Sequence, residues 1–352
     1  MTNAPLAVTL FGPEDLRLVE GAPAPLKPGM VRVRFGAGGI CGSDLHYFRH
    51  ARTGDFVVTQ PLVLGHEVSG EIVEIAGDAP GLAVGQRVAI NPSRWCGTCR
   101  FCREGRENLC ENIHFMGSAS KTPHMQGGFS SYIDAVPAQC IPVPKTLPYE
   151  AAALAEPLAV ALHAVSRAGD VRERHVAVFG GGPIGLLVML AARLAGAATV
   201  TVADIAAAPL SFAMQLGADR TVNVASDPEV LAGLAANEGF GTVFEATGAP
   251  AGLASAIATV RRGGTLVQVG NLPGGEFPVA ANAIMAKELD VRGTFRFGRE
   301  YARAVELIAT GAVDVARLIT ARVPLAQAVD GFHLALDRSR SVKVMLTGED
   351  VA

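Results

Sequence analysis

The segment from His175 to Gly196 constrains the fold of this chain more than any other part of the sequence. It reads "HVAVFG", then "GGPIG", then "LLVMLAARLAG": a short β-branched run, a glycine-rich turn and a long apolar helical run. Strand-like and helix-like runs go on alternating from there to Gly270. Apolar strands that alternate with helices of roughly 10–15 residues predict a parallel sheet with helices on both faces.

The turn in this segment has the spacing G-x-G-x-x-G. Between a strand and a helix, the first glycine makes the tight turn, the second lets the backbone approach a pyrophosphate, and the third allows close helix–strand packing. The helix N-terminus then offers free N–H groups to the phosphates. The sequence therefore predicts a dinucleotide site formed by Gly180, Gly182, Pro183, Ile184 and Gly185.

Asp204 ends the next strand-like run, "ATVTVAD", 19 residues after Gly185. An acidic residue near this distance accepts hydrogen bonds from the ribose hydroxyls of NAD, and its charge disfavours the 2′-phosphate of NADP. We therefore expect NAD as the cofactor. A basic residue such as Arg220 leaves NADP open as an alternative.

The parts of the chain on either side of this alternating region have a different sequence pattern. Residues 1–150 contain short strand-like runs, such as "VRVRFGAGGI" and "VSGEIVEIAG", closed by turn residues, and an alanine-rich helical stretch follows. After the alternating region come a strand candidate, "LDVRGTFRFG", a helix and the terminal strand "SVKVMLTG". We predict a β-rich domain over 1–150, a dinucleotide-binding domain over 151–285 and a return to the first domain over 286–352.

The composition excludes several classes of partner. The formal net charge is only -3 and no basic run is present, so we expect neither a nucleic-acid nor a membrane-surface partner. The start "MTNAPLAVTL" lacks the features of a secretory signal, and no apolar run reaches the roughly 18 residues of a membrane span. We therefore expect a cytoplasmic protein, in which clustered thiols are more often metal ligands than disulfides.

Four of the six cysteines lie in "RWCGTCRFCREGRENLC", with the spacing C-x2-C-x2-C-x7-C. An iron–sulfur site is an alternative, but the bacterial ferredoxin run closes with C-x3-C-P, which this stretch lacks. Four thiolates complete the tetrahedral coordination of zinc and leave no position for a substrate. This stretch, at about residues 94–112, is therefore predicted to be a structural zinc lobe held by Cys96, Cys99, Cys102 and Cys110.

Catalysis at a metal ion needs a ligand set that leaves one coordination position free for the substrate. Three further segments, "GICGSDLHY", "VLGHEVSGE" and "LAEPLAVALHA", carry suitable side chains. Periodicity cannot bring these segments together, and each residue also has an ordinary structural explanation. The candidates are Cys41, Ser43, Asp44, His46, His66, Glu67 and Glu156.

The order of these motifs resembles that of a known family. "GICGSDLH", "GHE", the four spaced cysteines, "EPLAVALHA" and "GGGPIG" follow one another as in the zinc-dependent medium-chain dehydrogenases. The resemblance runs from about Pro5 to Leu346 and is narrower with the polyol branch, which contains sorbitol dehydrogenase and L-idonate 5-dehydrogenase. It implies an α/β protein in which a Rossmann doubly wound parallel sheet is inserted into a β-rich, GroES-like catalytic domain.

The resemblance also implies a second, catalytic zinc, which makes two zinc ions per chain. In the family pattern this ion is bound through Cys41 and His66, and a carboxylate completes the set. The alcohol dehydrogenases proper have a cysteine where Glu156 stands here, which points to the polyol branch. Whether Glu67 or Glu156 is the direct ligand stays open at this point.

Further roles follow from the same resemblance. Asp44 is expected to orient the imidazole of His66. Ser43 is expected to relay the proton released by the substrate, with His46 carrying it toward solvent. Arg296, in "GTFRFG", matches an arginine that lines the substrate and nicotinamide site in the polyol branch, where it could hold hydroxyls or a carboxylate.

The expected reaction is hydride transfer from a secondary alcohol of a sugar acid or polyol to NAD(P). The segment "FMGSASKTPHMQGGFSSY" is more similar to idonate dehydrogenase than to sorbitol dehydrogenase and adds Lys121 and His124 as candidate carboxylate partners. We therefore expect L-idonate to be oxidised to 5-ketogluconate, with sorbitol or xylitol as the alternative substrate. A non-catalytic dinucleotide-binding relative is the alternative of another class. Family analogy also implies a homotetramer.

Overall fold

The computed structural model describes residues 4–237 and 239–348. Within this part of the chain two compact units are distinguished. Unit 1 comprises Met1–Glu156 and Tyr301–Ala352, and unit 2 comprises Pro157–Glu300. The chain therefore enters unit 1, leaves it for unit 2 and returns.

Strands and helices are numbered along the chain. The strands are β1 (Leu6–Gly12), β2 (Asp15–Glu20), β3 (Met30–Gly39), β4 (Arg52–Thr53), β5 (Phe56–Val57), β6 (Leu62–Val63), β7 (Glu67–Ala76), β8 (Arg87–Ile90), β9 (Ser93–Arg94), β10 (His114–Phe115), β11 (Tyr132–Ala135), β12 (Cys140–Pro142), β13 (His175–Phe179), β14 (Thr199–Asp204), β15 (Arg220–Asn223), β16 (Phe240–Glu245), β17 (Val260–Gln268), β18 (Asp290–Gly293), β19 (Ile319–Pro324) and β20 (Lys343–Thr347). The α-helices are α1 (Gly42–His50), α2 (Arg100–Arg103), α3 (Tyr149–Ala153), α4 (Ala155–Ala168), α5 (Pro183–Leu194), α6 (Ala207–Gln215), α7 (Pro228–Asn237), α8 (Pro250–Thr259), α9 (Ala281–Ala286), α10 (Glu300–Ala309) and α11 (Ala328–Leu336).

In the described part of unit 2, six strands form one parallel sheet in the order β15–β14–β13–β16–β17–β18. The central strand β16 is buried at every position, as expected of a parallel sheet with helices on both faces. The strand order reverses between β13 and β16, and doubly wound sheets bind ligands at this point, beyond the carboxyl ends of the strands. β13 ends at Phe179, so the glycine-rich turn begins where the order reverses.

Unit 1 is built on a mainly antiparallel sheet of seven strands, counted among the described residues. Its order is β12–β8–β7–β3–β20–β19, and β11 pairs with β3 as well. β3 and β7 form the long central pair, and the C-terminal strand β20 pairs with the end of β3. Fully buried apolar side chains from the sheet and the neighbouring β1 share one core, for example Val8, Val33, Val68 and Leu346.

These two sheets confirm the predicted fold class, a doubly wound parallel sheet inserted into a β-rich domain. Along the stretches 4–237 and 239–348, no helix combines the length and the apolar character that crossing a bilayer would require.

One local prediction was wrong in detail, and one predicted helical stretch is divided in two. The strand expected over "LDVRGTFRFG" ends at Gly293, and Arg296 has a φ of 53°, which lies outside the extended region of regular strands. The alanine-rich stretch forms two helices, α3 and α4, with Leu154 between them. Arg296 therefore lies in a loop, and Glu156 lies at the start of a helix.

Candidate metal centres and dinucleotide site

The four cysteines of the predicted zinc lobe form one cluster, called here the cysteine cluster (Cys96, Cys99, Cys102 and Cys110). The Sγ–Sγ distance is 3.5 Å between Cys96 and Cys110, 3.6 Å between Cys99 and Cys102, and 4.0 Å between Cys96 and Cys102. Four sulfurs bound at about 2.3 Å around a tetrahedral zinc are about 3.8 Å apart, so the cluster fits this ion. All of these cysteines are free, and a disulfide would need a separation of about 2.05 Å.

The electrostatics of the cysteine cluster also call for a cation. Hydrogen bonds from the backbone N–H groups of Thr98 and Cys99 lower the pKa of Cys96 to about 6. Burial and the neighbouring thiols raise the pKa of Cys102 to about 12. Because adjacent thiolates repel one another, the four sulfurs can ionise together only when a positive ion lies between them.

A second group, called here the mixed cluster, consists of Cys41, His66 and Glu67. One ligand atom from each of the three residues lies within 4.8 Å of the other two. Cys41 lies just after β3 and at the N-terminus of α1, while His66 immediately precedes β7 and Glu67 opens it. The antiparallel pairing of β3 with β7, with Gly39 opposite Glu67, brings the two segments together.

Asp44 supports both segments of the mixed cluster. It is completely buried, and its carboxylate accepts hydrogen bonds from the backbone N–H of Cys41 at 3.0 Å and of Gly65 at 3.2 Å. Its Oδ1 lies 3.6 Å from Nδ1 of His66. Burial lowers the pKa of His66, but the charges of Asp44 and Cys41 raise it more, so the net shift is well above the usual value.

Glu67 has a buried polar atom that a metal ion could satisfy. Within the described residues, Oε1 of Glu67 has no hydrogen-bond partner, although it is shielded from water. Unpaired polar atoms of this kind are rare in folded proteins and call for an explanation. A thiolate, an imidazole and a carboxylate are also a donor set that zinc prefers, with one position left open. The mixed cluster therefore fits a catalytic zinc.

Lys343, at the start of β20, is a member of this neighbourhood that the sequence did not indicate. Its Nζ lies 2.5 Å from Oε2 of Glu67 and donates a hydrogen bond to the backbone oxygen of Ile40 at 3.0 Å. Burial lowers the pKa of Lys343, but the charges of Glu67, Cys41 and Asp44 raise it more, so the net shift is upward. The ammonium group is therefore charged at neutral pH.

The two expected relay residues both lie on α1. Oγ of Ser43 lies 3.4 Å from Nε2 of His66, which places the hydroxyl beside the mixed cluster. The side chain of His46 reaches solvent, but part of it is packed against the protein. This partial burial, together with the charges of His50 and Arg338, lowers the pKa of His46. No described hydrogen bond joins Ser43 to His46.

Glu156 lies on the first turn of α4 and is buried, but it is not part of the mixed cluster. Its charge acts on Tyr301 instead: burial raises the pKa of Tyr301 well above the usual value, and Glu156 and Cys140 add to the shift. Of the two carboxylates that the sequence left open, Glu67 is the one adjacent to Cys41 and His66.

Arg296 and His124, which the sequence suggested for substrate recognition, have different surroundings. Arg296 is half-buried on the loop after β18, and its guanidinium lies 4.8 Å from the ring centroid of Phe295. His124 is buried, and both of its ring nitrogens are engaged: Nε2 accepts from the backbone N–H of Thr59 at 2.9 Å, and Nδ1 lies 2.8 Å from the backbone oxygen of Lys121. His124 therefore anchors a loop and is not available to bind a carboxylate.

The glycine turn of unit 2 has the geometry that a dinucleotide site needs. Gly180 has a φ of 103°, and a Cβ on Gly185 would overlap the carbonyl oxygen of Gly180. A Cβ on Gly182 would meet nothing within 4 Å, so the space beside the N-terminus of α5 is open. Asp204 accepts hydrogen bonds from the N–H of Gly181 at 2.7 Å and of Ala206 at 2.9 Å, so its carboxylate is fixed beside this turn.

Glu245 is a second residue that sequence reasoning missed. It ends β16, is completely buried, and accepts hydrogen bonds from the N–H of Thr247 at 2.8 Å and from Nε2 of Gln268 at 2.5 Å. These contacts tie together the loops after β16 and β17 at the carboxyl edge of the sheet. The sequence signal that could have identified Glu245 is the acid at the end of "GTVFE", because a carboxylate is unusual at the end of an otherwise apolar strand.

Comparisons with known proteins agree with this geometry. Residues 27–145 match the family model of the alcohol dehydrogenase GroES-like domain, and residues 183–310 match that of the zinc-binding dehydrogenases. The chain is 39% identical over 318 residues to L-idonate 5-dehydrogenase (NAD(P)(+)) of Escherichia coli, covering 89% of this chain and 90% of that protein. It is also 39% identical over 350 residues to sorbitol dehydrogenase of Gallus gallus, covering 98% of this chain and 97% of that protein.

A solved structure gives the same result for the fold. The crystal structure of L-idonate 5-dehydrogenase from Escherichia coli superposes with a TM-score of 0.92 at 35% identity, over 97% of this chain and 98% of that one. The family matches and the fold agree with the two sets of candidate metal ligands. Together they place the protein among the enzymes that use zinc and NAD(P) to act on alcohols. The chain belongs to the zinc-dependent medium-chain dehydrogenase family, in its polyol branch, and is an NAD(P)-dependent zinc alcohol dehydrogenase.

Proposed function

We propose that the enzyme oxidises the C5 hydroxyl of L-idonate to give 5-ketogluconate, with NAD as the hydride acceptor and the mixed cluster as the catalytic zinc site. The observation that carries the proposal is the buried mixed cluster, in which Cys41, His66 and Glu67 lie within 4.8 Å of one another. Three protein ligands leave one position for the substrate. The four thiols of the cysteine cluster would saturate a second, structural zinc.

The residues around the mixed cluster have distinct roles in this proposal. Zinc at this site supplies a Lewis acid that lowers the pKa of the substrate hydroxyl, and NAD accepts the hydride. Asp44 holds Nδ1 of His66, so Nε2 is the nitrogen left for the metal. Ser43, 3.4 Å from that nitrogen, accepts the hydroxyl proton. His46, exposed and with a lowered pKa, passes the proton to water.

Unit 2 supplies the cofactor site in the same proposal. The pyrophosphate binds at the N-terminus of α5, where Gly182 leaves room for it and the backbone N–H groups are free to donate. Asp204 accepts hydrogen bonds from the adenosine ribose, and its charge opposes a 2′-phosphate. We therefore infer a preference for NAD, with NADP accepted more weakly.

The choice of L-idonate is supported by the likeness to L-idonate 5-dehydrogenase over most of the chain. Arg296 is the proposed partner of the substrate carboxylate, because a guanidinium can bind a carboxylate through two parallel hydrogen bonds. Sorbitol is the second candidate substrate, since the chain has the same identity, 39%, to a sorbitol dehydrogenase.

The test is steady-state turnover of L-idonate, sorbitol and xylitol by the purified enzyme with NAD and with NADP. We expect the highest kcat/KM for L-idonate with NAD. The variant R296M should raise KM for L-idonate far more than KM for sorbitol, because only the sugar acid has a carboxylate to lose. R303M removes an exposed arginine paired with Glu306 and serves as the control. Equal or better turnover of sorbitol would refute the substrate assignment.

We further infer a homotetramer that acts in the cytoplasm. Free clustered thiols favour a reducing compartment. Among the described strands, β18 forms one edge of the parallel sheet, with the exposed apolar residue Val291 on it and Met285 nearby on α9. Unpaired edges of this kind can pair with a second copy. Analytical ultracentrifugation would give four chains per particle if this inference is right.

A further inference from the structure

Lys343 lies at the mixed cluster, but neither the proposed relay nor the proposed ligand set uses it. Its side chain is 2% exposed and that of Glu67 is 1% exposed. Within the described residues, Lys343 is the cation in direct contact with the Glu67 carboxylate, at 2.5 Å. β3 leaves space for the pair: a Cβ on Gly39 would overlap Oε2 of Glu67 and lie 2.7 Å from Cε of Lys343.

A buried lysine is costly unless its charge is compensated, so its position beside a metal ligand needs a reason. Lys343 is held in place by the fold, since it opens β20, beside β3, and donates to the backbone oxygen of Ile40. Its ammonium group and a zinc ion would both attract the same carboxylate. Lys343 contacts Oε2 and leaves Oε1 open to zinc, but each positive charge weakens the attraction of the carboxylate for the other.

The charges of the cluster support the same reading. With zinc bound, Cys41, Glu67 and Asp44 would carry three negative charges, while zinc carries two positive charges and Lys343 one, so the total is zero. Without Lys343 the same cluster would hold zinc in a net negative environment. The lysine therefore weakens the electrostatic attraction for the metal.

We propose that Lys343 is a positioning residue that competes with the catalytic zinc for Glu67, so that Glu67 is a detachable ligand and not a permanent one. This inference rests on the proposed function of the mixed cluster. Zinc is then held mainly through Cys41 and His66. When Glu67 moves back to Lys343, a second coordination position becomes free beside the one that the three protein ligands leave for the substrate.

Replacing Lys343 should have the opposite effect on zinc binding from replacing a residue that merely orients a metal ligand. Removing a group that merely orients a metal ligand weakens metal binding, typically by about 10–100-fold. Replacing Lys343 with an uncharged side chain leaves Glu67 unpaired in the zinc-free protein, whereas zinc compensates the same carboxylate in the loaded protein. The variant should therefore bind the catalytic zinc more tightly than the wild type.

The experiment compares the holoenzymes of the wild type and K343M, since methionine is of similar length and uncharged. Equilibrium competition with a chromogenic zinc chelator measures the affinity of the mixed cluster, and the zinc of the cysteine cluster is the internal reference. We expect the dissociation constant of the catalytic zinc to fall by roughly tenfold or more and the reference to stay unchanged. K343R keeps the charge and should remain close to the wild type.

Two further measurements keep the test decisive. If zinc-free K343M does not fold, the rate of zinc release from its holoenzyme is measured instead, and slower release is expected. With cobalt in the catalytic site, the visible absorption bands of K343M should shift, because Glu67 stays bound to the metal. K287M removes a lysine of unit 2 that donates to three backbone oxygens, and it should change none of these readouts.

Weaker or unchanged zinc binding in K343M would overturn the inference, because Lys343 would then only support Glu67 as a fixed ligand or fill space. If the wild type nevertheless contains two zinc ions and has dehydrogenase activity, the proposed function still stands. A wild type without zinc at the mixed cluster would overturn both.

Discussion

Two glycines of the same turn should respond in opposite ways to the same substitution, because the fold needs one and the cofactor needs the other. A Cβ on Gly185 would overlap the carbonyl oxygen of Gly180 and lie 2.9 Å from its carbonyl carbon. At Gly182 the φ is -71°, which any residue can adopt, and a Cβ would meet no atom within 4 Å. G185A is therefore a folding variant, and G182A is a binding variant.

The expected magnitudes follow from these contacts. In G185A the methyl group is forced against backbone that cannot move away, which costs about 1–3 kcal/mol of the free energy of unfolding, or more. In G182A the loss of glycine at the N-cap costs about 0.5–1 kcal/mol, and the lower entropy of the unfolded chain returns about 0.4–1 kcal/mol. The net change for G182A is therefore close to zero. Its methyl group instead occupies the space reserved for the pyrophosphate, and a tenfold loss of affinity corresponds to about 1.4 kcal/mol.

The assay is a pair of measurements on each variant: urea unfolding followed by circular dichroism, and NADH binding by titration calorimetry. We expect G182A to unfold at the wild-type urea concentration and to bind NADH at least about tenfold more weakly. G185A should unfold at a lower urea concentration. Wild-type NADH affinity in G182A would refute the reasoning, because the open space beside α5 would then not be the pyrophosphate site.

Three further predictions concern the carboxylates of Asp44, Asp204 and Glu300. D44N should weaken binding of the catalytic zinc by about 10–100-fold without loss of zinc from the cysteine cluster, measured by chelator competition, because His66 loses its orienting charge. D204N should narrow the ratio of kcat/KM for NAD over NADP, because the charge that opposes the 2′-phosphate is gone. Burial raises the pKa of Glu300, but the hydrogen bond with His163 at 2.9 Å lowers it more, so the net shift is downward. The stability that this gives is present above the unfolded carboxyl pKa of about 4.3 and is lost as pH falls through the lower folded value. E300Q should therefore lower the free energy of unfolding at pH 7, and this effect should disappear as pH falls below the folded pKa of Glu300.

The parts of this protein that could be predicted from sequence are those in which neighbouring residues determine the geometry. The glycine turn and Asp204 are separated by a single helix and strand, and the strand–helix alternation alone predicts the parallel sheet. The cysteine cluster spans 15 residues, from Cys96 to Cys110, so its spacing is enough to bring four thiols together.

The mixed cluster could not be derived in this way. Lys343 donates to the backbone oxygen of Ile40, 303 residues away, because β20 pairs with β3 only after the whole of unit 2 has intervened. No local pattern in "SVKVMLTG" distinguishes this lysine from an exposed strand lysine. The choice between Glu67 and Glu156 likewise depends on which segment meets β3, and Arg296 adopts a left-handed backbone that propensity does not predict.

The zinc content of two cysteine variants shows whether the working metal lies at the mixed cluster or in the conspicuous cysteine cluster. Zinc per chain is measured by elemental mass spectrometry on the wild type, on C41S and on C99S, together with NADH binding. We expect two zinc ions in the wild type and one in C41S, which should lose dehydrogenase activity and keep its affinity for NADH. A wild type with a single zinc, or a C41S variant that retains two ions and full activity, would contradict it.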